Sequence, residues 1–266
     1  MISRRAGPIP FAVLLLLPVC SLAQKVDPNS IDRECDRCSD LCYLVDQYWQ
    51  KERGIEVWKR YAASTPERHR IPVPANVTDL DSFEKLIYEE KLPNAMKDRK
   101  LPCKVAAEWE KQDDTTPPAL PKSNWGVGLE TKVFDGSCQV FYGKDKLEGD
   151  AEKNWRGKHV CKGSADAELA HEQVHQQICR ATWANDPANA VNDLVTFENV
   201  AQSELQAWRR HRNLLRDEIQ KLARNCGWQP TERQKNDPNA VPTEHQTKDM
   251  EERGWKAFEA LTGNSP

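Results

Sequence analysis

Eight cysteines lie between Cys35 and Cys226 of this 266-residue chain: Cys35, Cys38, Cys42, Cys103, Cys138, Cys161, Cys179 and Cys226. An even set of this kind is either kept reduced or joined in pairs, and the joined state ties together segments that are far apart in sequence. The start of the chain favours the joined state. Arg4 and Arg5 precede a short apolar run from Phe11 to Leu17, and Ser21-Leu22-Ala23 supplies small residues for cleavage, so residues 1–23 read as a signal peptide cut after Ala23. Pro8, Pro10 and Pro18 suit that segment poorly to a core helix. The ninth cysteine, Cys20, leaves with it, and Pro18-Val19 in front of it is not a lipidation context. Export to a periplasm or to the cell exterior then makes four disulfides the expectation, with the pairing left open. Cys35-x-x-Cys38 has no βαβ context and no second CxxC, which argues against a redox or zinc-ribbon role.

The chain as a whole is polar: 38% of its 266 residues are hydrophobic and 30% charged. Beyond the start it has no run near the roughly 18 apolar residues that a bilayer span requires, so no membrane span is expected after signal cleavage. Lys and Arg number 38 against 41 Asp and Glu, which offers no basic surplus for nucleic acid.

Periodicity divides residues 24–227 into two unlike parts. From Ile31 to Ala62 the spacing of Leu41, Leu44, Val45, Tyr48, Val57, Trp58 and Tyr61 predicts helix, with Gly54 as a candidate interruption. Residues 64–124 are punctuated by prolines, Pro93 among them, and leave room for one short helix near Asp81 to Glu90. From Gly126 to Tyr142 alternation about Asp135-Gly136 predicts an antiparallel hairpin. Two helices follow, from about Ala165 to Trp183 and from about Ala188 to Arg224, the second closed by Asn225-Cys226-Gly227. Residues 228–266 are polar and proline-punctuated, and read as a tail with a short helix from Asp249 to Leu261. The expected class is therefore α+β, mainly α, and stapled by disulfides.

The first of the two helices contains His171-Glu172-Gln173-Val174-His175. Residues four apart share a helix face, so both imidazoles can bind one Zn²⁺. Glu172, about 100° round from His171, then reaches a water at the metal as general base. The following helix carries the apolar stripe Leu194, Phe197, Ala201, Leu205, Trp208, Leu215, Ile219 and Leu222. Glu204 and Glu198 flank that stripe on opposite sides, with Glu204 slightly nearer its centre and His211 on the same side as Glu204.

A hairpin, an HExxH helix and a long second helix in this order resemble the zincin metallopeptidases across residues 126–224. Glu204-x-x-Ala207 is similar to the E-x-x-A pattern on the second helix of several glutamate-ligand zincins. The resemblance implies a zincin-like fold. It also implies one Zn²⁺ held by His171, His175 and Glu204, with Glu172 as base and a peptide or protein as substrate. Glu198 competes with Glu204 for the third ligand position, and Glu198 and His211 otherwise stand as candidates for supporting the ligands or the transition state. The metzincin extension is absent, since Ile178 and Ala181 occupy its glycine and histidine positions, and so is the N-E-x-x-S-D motif, so no single zincin family is indicated. The rival expectation is an exported binding protein in which a closed, structural zinc site ties two helices together.

Overall fold

The computed structural model describes residues 33–97, 129–132 and 138–262. Three long helices form its frame: α1 (Asp40–Lys59), α5 (Lys162–Asn185) and α7 (Phe197–Asn225). Between α1 and α5 lie α2 (Leu80–Lys85), a π-helical turn (Leu86–Lys91) and α3 (Leu92–Met96). Strands β1 (Leu129–Lys132), β2 (Gln139–Tyr142) and β3 (Asp145–Lys146) and helix α4 (Gly149–Arg156) complete that stretch. The short α6 (Ala190–Leu194) precedes α7, and α8 (Glu232–Lys235) and α9 (Glu244–Thr262) follow it. The molecule is mainly helical with one small antiparallel sheet in the order β1-β2-β3.

Helices α1 and α7 run antiparallel against each other, and their apolar stripes build two cores. Leu41, Leu44 and Val45 meet Leu215, Ile219 and Leu222 at one end. Ile55 and Trp58 meet Ala201, Leu205 and Trp208 at the other, together with Phe83 and Ile87. Gly54 does not interrupt α1. A Cβ there would stand 2.0 Å from Cζ3 of Trp208, so the missing side chain is the notch into which the indole packs. The glycine that reads as a helix breaker is a close-approach residue.

Disulfides pin the frame at its ends. Cys35 and Cys38, just before α1, bond to Cys161 and Cys226. Cys161 is the N-cap of α5 and Cys226 the C-cap of α7, so three helix termini are drawn together. Arg33 reinforces the knot, its guanidinium bidentate on the buried Asp40 at 2.7 and 2.8 Å and donating to Val160 O at 2.6 Å. A third disulfide, Cys138–Cys179, joins the start of β2 to α5. Cys42 is also disulfide-bonded, and Cys103 lies outside the described residues.

Three elements differ from the sequence expectation for identifiable reasons. The short helix near Asp81 extends to Met96, because the π-helical turn widens the backbone before Pro93, whose ring a regular α-helical turn would bring against the carbonyl four residues earlier. The helix expected from Ala188 to Arg224 breaks after Leu194, where Thr196 Oγ1 accepts from Asn199 N and starts α7 afresh. Beyond Gly227 the polar segment packs onto α1, burying Val241, Thr247 and Met250. Helix α9 starts five residues before the expected Asp249, at a reciprocal cap in which Thr243 and Gln246 satisfy each other's backbone N–H groups. The turn expected at Asp135-Gly136 lies outside the described residues.

Candidate metal centre

Helix α5 presents His171, Glu172 and His175 toward α7 and β1. These three side chains each offer one ligand atom, all within 4.8 Å of one another, and as a group they can hold a metal ion. The two imidazole Nε2 atoms are 3.1 Å apart. Glu204 reaches both from α7, its Oε2 lying 3.6 Å from His171 Nε2 and its Oε1 3.4 Å from His175 Nε2. Glu198 does not come to the site. It lies six residues earlier than Glu204 on α7 and pairs with Arg70 at 3.5 Å.

The surrounding residues fix these groups. Ser203 Oγ is 2.7 Å from His175 Nδ1, which leaves Nε2 of that ring facing the other donors. Trp208 Nε1–H donates to Glu204 Oε2 at 3.0 Å, so the indole held in the Gly54 notch also orients the carboxylate. Thr131 Oγ1, on β1, donates to Glu172 Oε2 at 2.9 Å and lies 3.2 Å from the Glu172 carbonyl. Glu172 Oε1 stands 3.9 Å from His171 Nε2. The motif glutamate is therefore gripped from the sheet side while the two histidines and Glu204 face one another.

Burial sets the charge state of the deeper groups. It holds His171 and His211 well below the usual imidazole range, helped by the Lys51 ammonium, so both stay neutral at pH 7. His159 is driven down to about 3 by burial and by the Arg156 and Lys51 charges. Glu168, one turn before His171, is pushed up to about 7 by burial, against the pull of Lys51. Lys51 itself is lowered by burial and lies with Nζ 4.4 Å from the centroid of the Trp208 ring. Burial and the neighbouring Glu204 carboxylate raise the Tyr88 phenol.

The metal donors together with His159, Glu168, His211, Lys51 and Tyr88 line one cleft of about 1620 Å³, which also takes in Leu129 and Thr131 of β1. The His171 ring is 6.0 Å from that of His211, centroid to centroid. His211, expected near the site, is thus in it but not among the converging donors. Sequence reasoning missed Lys51, Tyr88, Thr131 and Ser203. Ser203 had a visible signal, as a hydroxyl next to Glu204. The other three come from distant elements, and nothing in their local spacing marks them.

No model of a known protein family matches the chain, and no curated protein and no solved structure matches it. No helix among the described residues is long and apolar enough to cross a membrane.

Proposed function

We propose that the chain is an exported zinc metallopeptidase of zincin type, with zinc held by His171, His175 and Glu204 and with Glu172 as general base. One observation carries the reading. Zinc holds imidazole nitrogen and carboxylate oxygen at about 2.0–2.1 Å, so an edge of its tetrahedron is about 3.3 Å long. The two imidazole Nε2 atoms, 3.1 Å apart, come near that edge, and Glu204 turns its carboxylate to the pair, with Oε2 3.6 Å from His171 Nε2 and Oε1 3.4 Å from His175 Nε2.

When bound, zinc supplies a Lewis acid that polarises the scissile carbonyl and makes water a nucleophile near neutral pH. Glu172 takes a proton from the attacking water and passes it to the nitrogen of the departing amine as the C–N bond breaks. The Thr131 hydroxyl holds Oε2, which aims Oε1 at the face of the His pair. Trp208 and Ser203 orient Glu204 and His175. Strand β1 is at the edge of the sheet among the described residues, so an extended peptide can lie along it and over Glu172. A site opening onto so large a cleft favours catalysis over a closed structural zinc.

The test combines metal content with one substitution. The purified protein binds about one zinc, which His171→Ala abolishes. Glu172→Gln keeps the zinc and the fold but lowers peptide hydrolysis at least about 100-fold. Full activity in Glu172→Gln, or a wild-type protein without zinc affinity, overturns the reading.

A further inference from the structure

One lysine side chain ends in the metal cleft with its hydrogen-bond donors unspent. Lys51 lies within α1, three residues before Gly54, so the two share one face of that helix. The Gly54 notch receives the edge of the Trp208 ring, and Lys51 Nζ lies over the same ring, 4.4 Å from its centroid. That indole donates its N–H to Glu204 Oε2 and stands 6.3 Å from the His171 ring, centroid to centroid. A single aromatic plate therefore places an ammonium, the Glu204 carboxylate and an imidazole relative to one another.

Glu168, Glu204 and Glu172 are all within electrostatic reach of Lys51. Yet among the described residues no carboxylate oxygen lies within 4.0 Å of Nζ, and no acceptor takes a hydrogen bond from it. This is unusual, because a charge drawn out of bulk water is ordinarily paired or hydrogen-bonded. The cation–π contact holds the ammonium in place without using its N–H donors. Unlike Nε2 of His159 and of His211, Nζ is not sealed in the protein. It keeps surface open to the cleft that His171, Glu172 and His175 also line.

We infer that Lys51 is a catalytic residue, whose ammonium donates a hydrogen bond to the carbonyl oxygen of the scissile peptide as that oxygen becomes an oxyanion. The inference rests on the peptidase reading. As the water oxygen adds to the carbonyl carbon, Glu172 accepts the water's proton and the electron pair of the C=O bond moves onto oxygen. Lys51 keeps its own proton and only shares it with that oxygen. When the C–N bond breaks, the same electron pair re-forms the carbonyl and Glu172 gives its proton to the amine nitrogen. A donor that no acceptor occupies in the resting protein meets full negative charge only at the tetrahedral stage. It therefore stabilises the transition state more than the bound peptide. Lys51 comes from α1, outside residues 126–224, so a helix that the zincin resemblance leaves aside completes the site.

The test compares zinc-loaded wild type with Lys51→Met, which removes the charge and keeps the apolar stem, and with Lys51→Arg, which keeps the charge. Three quantities are read: zinc content with thermal unfolding, kcat and KM on an unmodified peptide, and affinity for a phosphinic peptide whose tetrahedral, anionic phosphinate imitates the oxyanion. Lys51→Met is expected to keep its zinc and its unfolding temperature. Its kcat falls about 100-fold with KM little changed, and the phosphinic peptide binds more weakly by a similar factor. Lys51→Arg recovers part of both losses. Loss of zinc or of stability in Lys51→Met, with kcat falling only in proportion, makes Lys51 a counter-charge to its three carboxylates and overturns the inference. A rise in KM at constant kcat also overturns it, since that is the mark of a contact made equally in the ground state. A Lys51→Met protein as active as the wild type overturns this inference alone, whereas a wild type that cleaves no peptide overturns the peptidase reading and this inference together.

Discussion

Glu204 and Glu198 are six residues apart on one helix, on opposite flanks of the apolar stripe, and the amino-acid spacing favours Glu204 only by a slightly smaller angle from the stripe's centre. The folded chain separates them fully: Glu204 faces two imidazoles, whereas Glu198 faces Arg70 at the surface. Titration with a chelator therefore strips zinc from Glu204→Ala far more readily than from Glu198→Ala, which behaves as wild type. The reverse order overturns the ligand assignment. The motif residues were legible because helix geometry alone makes i and i+4 neighbours. Lys51, Tyr88 and Thr131 were not, because their approach depends on how three elements pack. Glu168 shows what such packing does to chemistry. Its pKa in the fold is about 7 against an ordinary 4.5, so ionising it costs folding free energy, and the stability present below pH 4.5 is lost as pH rises through 7. In metal-free protein, Glu168→Gln therefore gains on the wild type by up to about 3 kcal/mol between pH 4 and pH 8, measured by denaturant unfolding. A difference independent of pH would show that Glu168 is not buried in the way described.

At the scale of whole elements, local pattern was a good guide to where helix exists and a poor one to where it stops. The stripe from Leu194 to Leu222 continues in register across Val195 and Thr196, so periodicity alone joins α6 to α7, and only the Thr196 cap parts them. The same blindness affects Gly54. Propensity says that alanine in its place favours α1 by about 1 kcal/mol. Packing says the opposite, since the new methyl carbon would fall 2.0 Å from the Trp208 ring, and a rigid indole between two helices cannot move without opening the α1–α7 contact. Gly54→Ala is expected to be destabilised by about 1–3 kcal/mol. It should also weaken zinc binding, because displacing Trp208 takes away the N–H that orients Glu204. Thermal unfolding and metal titration of this one variant test both links, and a variant more stable than the wild type would mean that the notch is not tight.

Across the whole molecule, the cysteine count was legible as a staple, but its logic was not, since spacing says nothing about which helix ends meet. Cys35–Cys161 and Cys38–Cys226 gather the ends of α1, α5 and α7 at the knot, while Cys138–Cys179 lies at the candidate metal site, with Cys179 one turn beyond His175. Loop-closure entropy hardly distinguishes these bonds. The chain separations of 188 residues for Cys38–Cys226 and 41 for Cys138–Cys179 correspond to about 5 and about 4 kcal/mol of unfolded-state restriction. Position separates them instead. The Cys38→Ser, Cys226→Ser variant is expected to lose stability but, once folded, to keep the zinc affinity and peptide cleavage proposed for the wild type, because the knot is remote from His171. The Cys138→Ser, Cys179→Ser variant loses a comparable amount of stability and also activity, because it frees β2, and with it the hydrogen-bonded β1, from the helix that carries the motif. The Thr131 grip on Glu172 depends on that tether, so the fall is expected in kcat with zinc content unchanged. Equal activity in the two variants would show that the sheet is held against α5 by packing alone.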